Sequence, residues 1–138
     1  MDRSLFLARL IGPTFVAIAL GMLINLGMYE SMIAEALRTG IVLYLSGLLS
    51  LLAGLAIVNL HNMWRADWRV IITILGWLMT IGGIFRIVMP QVAVAIGSTI
   101  YGGRASTIAV ALIIGALGAF LSFKGYARRR EPRENHDV

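Results

Sequence analysis

"VIITILGWLMTIGGIFRIVM", residues 70–89, runs for twenty residues with a single charge, Arg86, and Pro90 closes it. As a helix rising 1.5 Å per residue, a segment of that length covers about 30 Å, the thickness of a bilayer's hydrocarbon core. A helix that is apolar on every side has no face to turn to water, so the solvent that suits it is lipid. Three more runs of similar length and character flank it, and together they set the fold class. We expect an all-α polytopic membrane protein with four transmembrane helices over about 5–26, 40–60, 70–89 and 105–123.

Composition agrees. Of the 138 residues 59% are hydrophobic and 14% charged, against about 25% charged in soluble domains, and the mean hydropathy is +0.84. The connections are too short for a soluble domain, so residues 1–126 read as one four-helix transmembrane domain and 127–138 as a disordered cytoplasmic tail. The first run could pass for a secretory signal. It is too long for a typical signal core, contains Arg9 and Pro13, and is followed by no small-x-small site, so a mature first helix is expected. There is no cysteine, which excludes disulfides, thiolate metal sites, covalent haem attachment and thiol catalysis.

The formal charge of +5 is unevenly placed. Arg3, Arg9, Arg65, Arg69, Lys124, Arg128, Arg129, Arg130 and Arg133 fall at one set of helix ends, leaving Arg38, Arg104 and Arg86 for the other. Cytoplasmic loops collect Lys and Arg, so both termini are expected in the cytoplasm of a bacterial inner-membrane protein, and the two longer connections outside. Trp64 and Trp68 in "HNMWRADWR" suit the cytoplasmic interface, where an indole satisfies its ring and its N–H together. Asp67 between Arg65 and Arg69 offsets their charge. The cluster Arg128, Arg129 and Arg130 is expected to attract anionic lipid.

Shifting helix 1 by 61 residues onto helix 3 superposes Gly21 on Gly82, Asn25 on Arg86 and Met28 on Met89, and carries helix 2 onto helix 4 with a few inserted residues. The chain then reads as a parallel repeat of two helical hairpins. Helical stripes follow: Thr14, Ile18, Gly21 and Asn25 in one copy, and Leu75, Met79, Gly82 and Arg86 in the other, both expected to face protein. Ser46, Ser50 and Gly54, and Ala111, Gly115 and Ala119, recur at intervals of four and are expected at helix contacts.

"MYESMIAEALRTG" has the pattern of a short amphipathic helix on the outer surface, stopped by Gly40. "PQVAVAIGSTIYGGR" lies flat or dips back into the bundle, and its glycine-rich half, "GSTIYGGR", is expected to be a flexible loop. Three roles are open to Arg86 beneath these segments. It snorkels to outer headgroups, it pairs with Glu30 or Glu35, or it holds a ligand, an ion or a lipid headgroup, with anions preferred. At the cytoplasmic end Asn59, His61 and Asn62 form a polar patch, and His61, in line with Gly47, Ser50 and Gly54, is either a satisfied polar residue or a charge switch.

The apolar runs contain no Asp or Glu, which argues against proton coupling. No ligand-spaced His and carboxylate set, no serine with a base in reach and no phosphate-cradling glycine loop occurs, so neither catalysis nor a metal or cofactor is expected. Residues 61–90, with the Trp64-Arg65-Ala66-Asp67-Trp68 connection, Gly76-Trp77 and the closing Pro90, resemble small bacterial four-helix membrane proteins without assigned activity. The resemblance covers about a fifth of the chain and implies a bacterial inner membrane. The helix 1 glutamate of small multidrug transporters is absent. The expected function is association through helices, as a homo-oligomer or an accessory subunit of a membrane complex; the alternative is a channel or small transporter with a pore between oligomers.

Overall fold

A computed structural model of the chain describes residues 3–127. They form six helices in the order α1 (Arg3–Ile24), α2 (Leu26–Arg38), α3 (Gly40–Leu60), α4 (Val70–Val88), α5 (Pro90–Ile100) and α6 (Arg104–Tyr126). Helices α1, α3, α4 and α6 are long and apolar enough to cross a membrane. Their contacts are spread thinly for a good reason: only 22–28% of each apolar window is buried in the chain, and lipid suits the rest. Of the expected tail, 127–138, all but Ala127 lies outside the described residues, the cluster Arg128, Arg129 and Arg130 included.

The order long, short, long occurs twice, and its period is 64 residues. Leu26 and Pro90 open the short helices, Gly40 and Arg104 open the helices after them, and Ile24 and Val88 end the helices before. Each junction is built alike. Asn25 (φ −117°, ψ 47°) and Met89 (φ −129°, ψ 63°) are the single non-helical residues between α1 and α2 and between α4 and α5. Hydrogen bonding continues across both, from Asn25 N–H to Gly21 O and Tyr29 N–H to Asn25 O, and from Met89 N–H to Phe85 O and Ala93 N–H to Met89 O. The buried positions repeat too: Leu43, Gly47, Gly54 and Ile57 of α3 correspond to Thr107, Ala111, Gly118 and Leu121 of α6.

This corrects the 61-residue register. The shift that overlays Asn25 on Arg86 is three residues short, because it aligned glycines that do not share a role; at 64, Gly12 meets Gly76 and Gly54 meets Gly118, and no insertion is needed. Nor does each hairpin pack on itself. The main contacts are α1 with α6 and α3 with α4, so each pair takes one helix from each repeat. The two pairs meet in a core of Leu7, Ala8, Ile57, Ile72 and Leu121 at the end that holds the α3–α4 connection.

Glycine explains the pairing. A Cβ on Gly54 would stand 2.5 Å from both N and Oγ1 of Thr80 and 2.8 Å from Gly76 O; one on Gly118 would stand 2.7 Å from Val16 N and 2.9 Å from Gly12 O. Val16 and Thr80, like Gly12 and Gly76, are one period apart, so the two pairs cross at the same place by the same means. Lipid offers no hydrophobic drive between helices, and such close backbone approach supplies dispersion contacts in its place. The α3–α4 seam satisfies its polar side chains, Ser50 Oγ donating to Met79 O across the contact at 2.8 Å and Thr80 Oγ1 to Gly76 O at 2.8 Å, whereas Ser122 Oγ, buried against Gly12 in the α1–α6 seam, has no hydrogen-bond partner among the described residues.

Candidate functional site

At the end opposite the core, α2 and α5 lie in contact over the tops of the paired helices. The expected helix after span 1 is α2. The segment after Pro90 is helical as well, which corrects the reading of "GSTIYGGR" as a loop: Gly97, Ser98, Thr99 and Ile100 belong to α5, and only Tyr101–Gly103 are bent. Pro90, free of the need for a donor at the first position, starts that helix. Gly97 is kept for packing, since a Cβ there would be 2.8 Å from Leu37 Cδ2.

Beneath this cap is a cavity of about 410 Å³, within the size range of small-ligand sites. Ile33, Ala36 and Leu37 of α2, Leu43 and Ser46 of α3, Gly82, Phe85 and Arg86 of α4, and Ala93, Ile96, Gly97, Ile100 and Tyr101 at α5 line it. Arg86 is the only charged residue in that lining among the described residues. It sits in the last turn of α4, where the carbonyl end of the helix favours a cation. The root of its side chain is pressed against α3: a Cβ on Gly47 would be 2.7 Å from Arg86 Cβ. Among the described residues Arg86 makes no hydrogen bond or ion pair.

The proposed acidic partners are elsewhere. Glu35 is exposed and accepts a hydrogen bond from Thr39 Oγ1 at 3.1 Å. Glu30 lines an adjoining cavity of about 380 Å³ that shares Ile33, Leu37 and Tyr101 with the first. Its Oε1 is buried and receives no hydrogen bond among the described residues. Two opposite charges therefore line neighbouring spaces, and no ion pair joins them among the described residues.

The other sequence candidates separate into distinct groups. Asn25 is exposed at the α1–α2 junction, and Thr14 and Ile18 are exposed with it, so that stripe faces outward; the 61-residue overlay had wrongly tied it to Arg86. Asn59 is exposed. His61 is 3% exposed and bridges, with Nδ1 3.3 Å from Ser4 Oγ and Nε2 3.1 Å from Arg69 O. A carbonyl only accepts, so Nε2 carries the proton and Nδ1 accepts from serine. Thr73 Oγ1 beside it accepts from Met63 N–H at 3.2 Å, and the set fastens the α3–α4 connection. Among the packing residues, Ser50 and Gly54 lie in the α3–α4 seam, Ala111 is buried, and Gly115 faces α1, a Cβ there standing 3.1 Å from Ala19 Cβ. Ser46 lies instead at the cavity, bonded to Leu43 O at 2.8 Å, and Ala119 is exposed, because 3.6 residues per turn carries a strict four-residue stripe off the contact face.

Phe85, Ala93 and Tyr101 were not singled out in the sequence. The signal that finds Ala93 is the 64-residue period, which aligns it with Tyr29. No group of three His, Asp or Glu residues lies close enough to hold a metal ion among the described residues.

No family model, curated protein or solved structure matches this chain. The likeness of residues 61–90 to small bacterial membrane proteins rests on its motif residues alone.

Proposed function

We propose that the protein is a non-enzymatic, multi-pass protein of the bacterial inner membrane that binds an anionic group at Arg86, with both termini cytoplasmic and the α2–α5 cap outside. The observation that carries this reading is an arginine without a partner among the described residues, in a cavity of ligand size. Placing Arg in the apolar part of a bilayer costs about 2.5–3.5 kcal/mol at the helix centre, less toward its end, and chains keep such residues where they do work. The guanidinium fork suits phosphate, sulfate or carboxylate bidentately. The orientation is supported by the arginine-rich helix ends on the side of the α3–α4 connection.

The test is thermal unfolding of the purified protein in a neutral detergent, titrated with an alkyl phosphate. Wild type should gain stability, approaching about 2.7 kcal/mol at one hundred times the dissociation constant. Arg86→Gln should gain none. An equal response from both proteins, or none from wild type, removes the reading.

Association with a second copy or with a larger membrane complex is a second reading, favoured by a different observation. Ala105, Ala109, Ala116 and Ala119 are all exposed on α6, a face that invites close approach by another helix. A single sharp species larger than one chain in mild detergent, lost in Ala109→Leu, supports it. Permeation has less support, since the core of Leu7, Ala8, Ile57, Ile72 and Leu121 fills the end away from the cavity.

A further inference from the structure

The repeat allows the Arg86 cavity to be compared with its own counterpart. One period earlier, Met22 corresponds to Arg86, Gly21 to Phe85 and Tyr29 to Ala93. In that half the space is closed: Tyr29 lies over Gly21, its hydroxyl 2.7 Å from where a Gly21 Cβ would stand, and Met22 is 3% exposed. In the other half Ala93 has no ring to lay there, Phe85 stands 41% exposed at the rim, and Arg86 faces open space. The same backbone thus has a filled form over a methionine and an open form over an arginine. A cavity left by poor packing has no reason to coincide with the one charged residue.

We propose that the open form holds the headgroup of a phospholipid from the leaflet that faces α2 and α5, its phosphate paired with Arg86 and a headgroup N–H or O–H donated to Glu30. This rests on the reading of Arg86 as an anion site and adds the identity of the anion's carrier. The rim argues for lipid over a free ion. Phe85, Ile96 and Ile100 are 41%, 51% and 44% exposed there, an apolar edge that suits an acyl chain and does nothing for inorganic phosphate. Glu30 argues for a donor on the headgroup, because its side chain lines the adjoining cavity and its Oε1 lacks a donor among the described residues. Ethanolamine and glycerol headgroups carry such a donor. Choline, fully methylated, does not.

The experiment is native mass spectrometry of the full chain released from membranes of equimolar phosphatidylethanolamine and phosphatidylcholine. Wild type should retain one phosphatidylethanolamine per chain and about tenfold less phosphatidylcholine, the ratio that one charge-assisted hydrogen bond provides. Ala93→Tyr, which supplies the ring that Tyr29 supplies in the other half, should abolish retention. Arg86→Met, which reproduces Met22 and removes a costly charge, should do the same while circular dichroism stays that of wild type, so a folding failure of the first variant leaves the second to decide. Tyr29→Ala should retain lipid as wild type does. Equal retention of the two lipids, or retention by Arg86→Met at the wild-type level, overturns the proposal. If alkyl phosphate and inorganic phosphate stabilise the protein equally and no lipid is retained, the anion site stands and the lipid inference falls.

Discussion

Replacing Gly54 by alanine adds one methyl group at the closest approach of α3 and α4, and the geometry sets its cost. That methyl would lie 2.5 Å from Thr80 N, 2.5 Å from Thr80 Oγ1 and 2.8 Å from Gly76 O, where carbon and oxygen or nitrogen ordinarily keep more than 3 Å. Two of the three atoms are helix backbone and the third is held by its bond to Gly76 O. None can swing aside, so the helices must separate by several tenths of an ångström along the seam. Overpacking of this kind costs about 1–3 kcal/mol, against which alanine's better helix propensity returns up to about 1 kcal/mol. The net expectation for Gly54→Ala is a loss of about 1–2 kcal/mol. Gly118→Ala, one period on, meets Val16 N, Phe15 Cβ and Gly12 O at 2.7–2.9 Å and should lose a similar amount. Gly82→Ala has nothing within 4 Å and should lose nothing. Equilibrium unfolding of the three variants in one detergent reads the differences directly. A Gly82→Ala variant as unstable as Gly54→Ala, or a neutral Gly54→Ala, would refute the claim that glycine contacts hold these helix pairs.

Three further outcomes are expected. Ser50→Ala removes the hydrogen bond to Met79 O and, at the average for such bonds in membrane bundles, should cost about 0.6 kcal/mol in the same unfolding assay. Arg9→Gln loses the donation from Nε to Gly125 O at 2.7 Å and the stacking of its guanidinium 5.3 Å from the Tyr126 ring; together these should cost about 1–3 kcal/mol, and hydrogen exchange should quicken first in the last turn of α6. His61→Ala leaves the Arg69 carbonyl without that donor and should cost about 1–3 kcal/mol, with proteolysis between residues 62 and 69 rising ahead of global unfolding.

The sequence carried the spans because the hydrocarbon thickness is a coarse and strong filter: the expected 40–60 is α3, and the expected 70–89 ends one residue beyond α4. Helix α2 was legible from its apolar face and the stop at Gly40. Helix α5 was harder, because Gly97, Ser98 and Thr99 look like loop residues until the packing of Gly97 against Leu37 is known. The repeat was visible, but its register was not. At 61 residues sparse glycine matches compete with those at 64 on equal terms, and only the positions of the junction residues Asn25 and Met89 decide between them. Arg86 announced itself as a lone charge in an apolar run. The absence of a partner for it, and the open space above it, depend on where Glu30 and Ala93 fall across α2 and α5, which no local pattern encodes.

A protein without cysteine lends itself to one decisive measurement. Single cysteines at Ser98 on α5, exposed, and at Ala66 in the α3–α4 connection, exposed, should be challenged in intact cells with a membrane-impermeant thiol reagent. Ser98→Cys should be labelled at once and Ala66→Cys only after the membrane is opened. Labelling of Ala66→Cys in sealed cells with protection of Ser98→Cys would put the Arg86 cavity on the wrong face, and equal labelling of both would contradict a chain that crosses the membrane in one orientation.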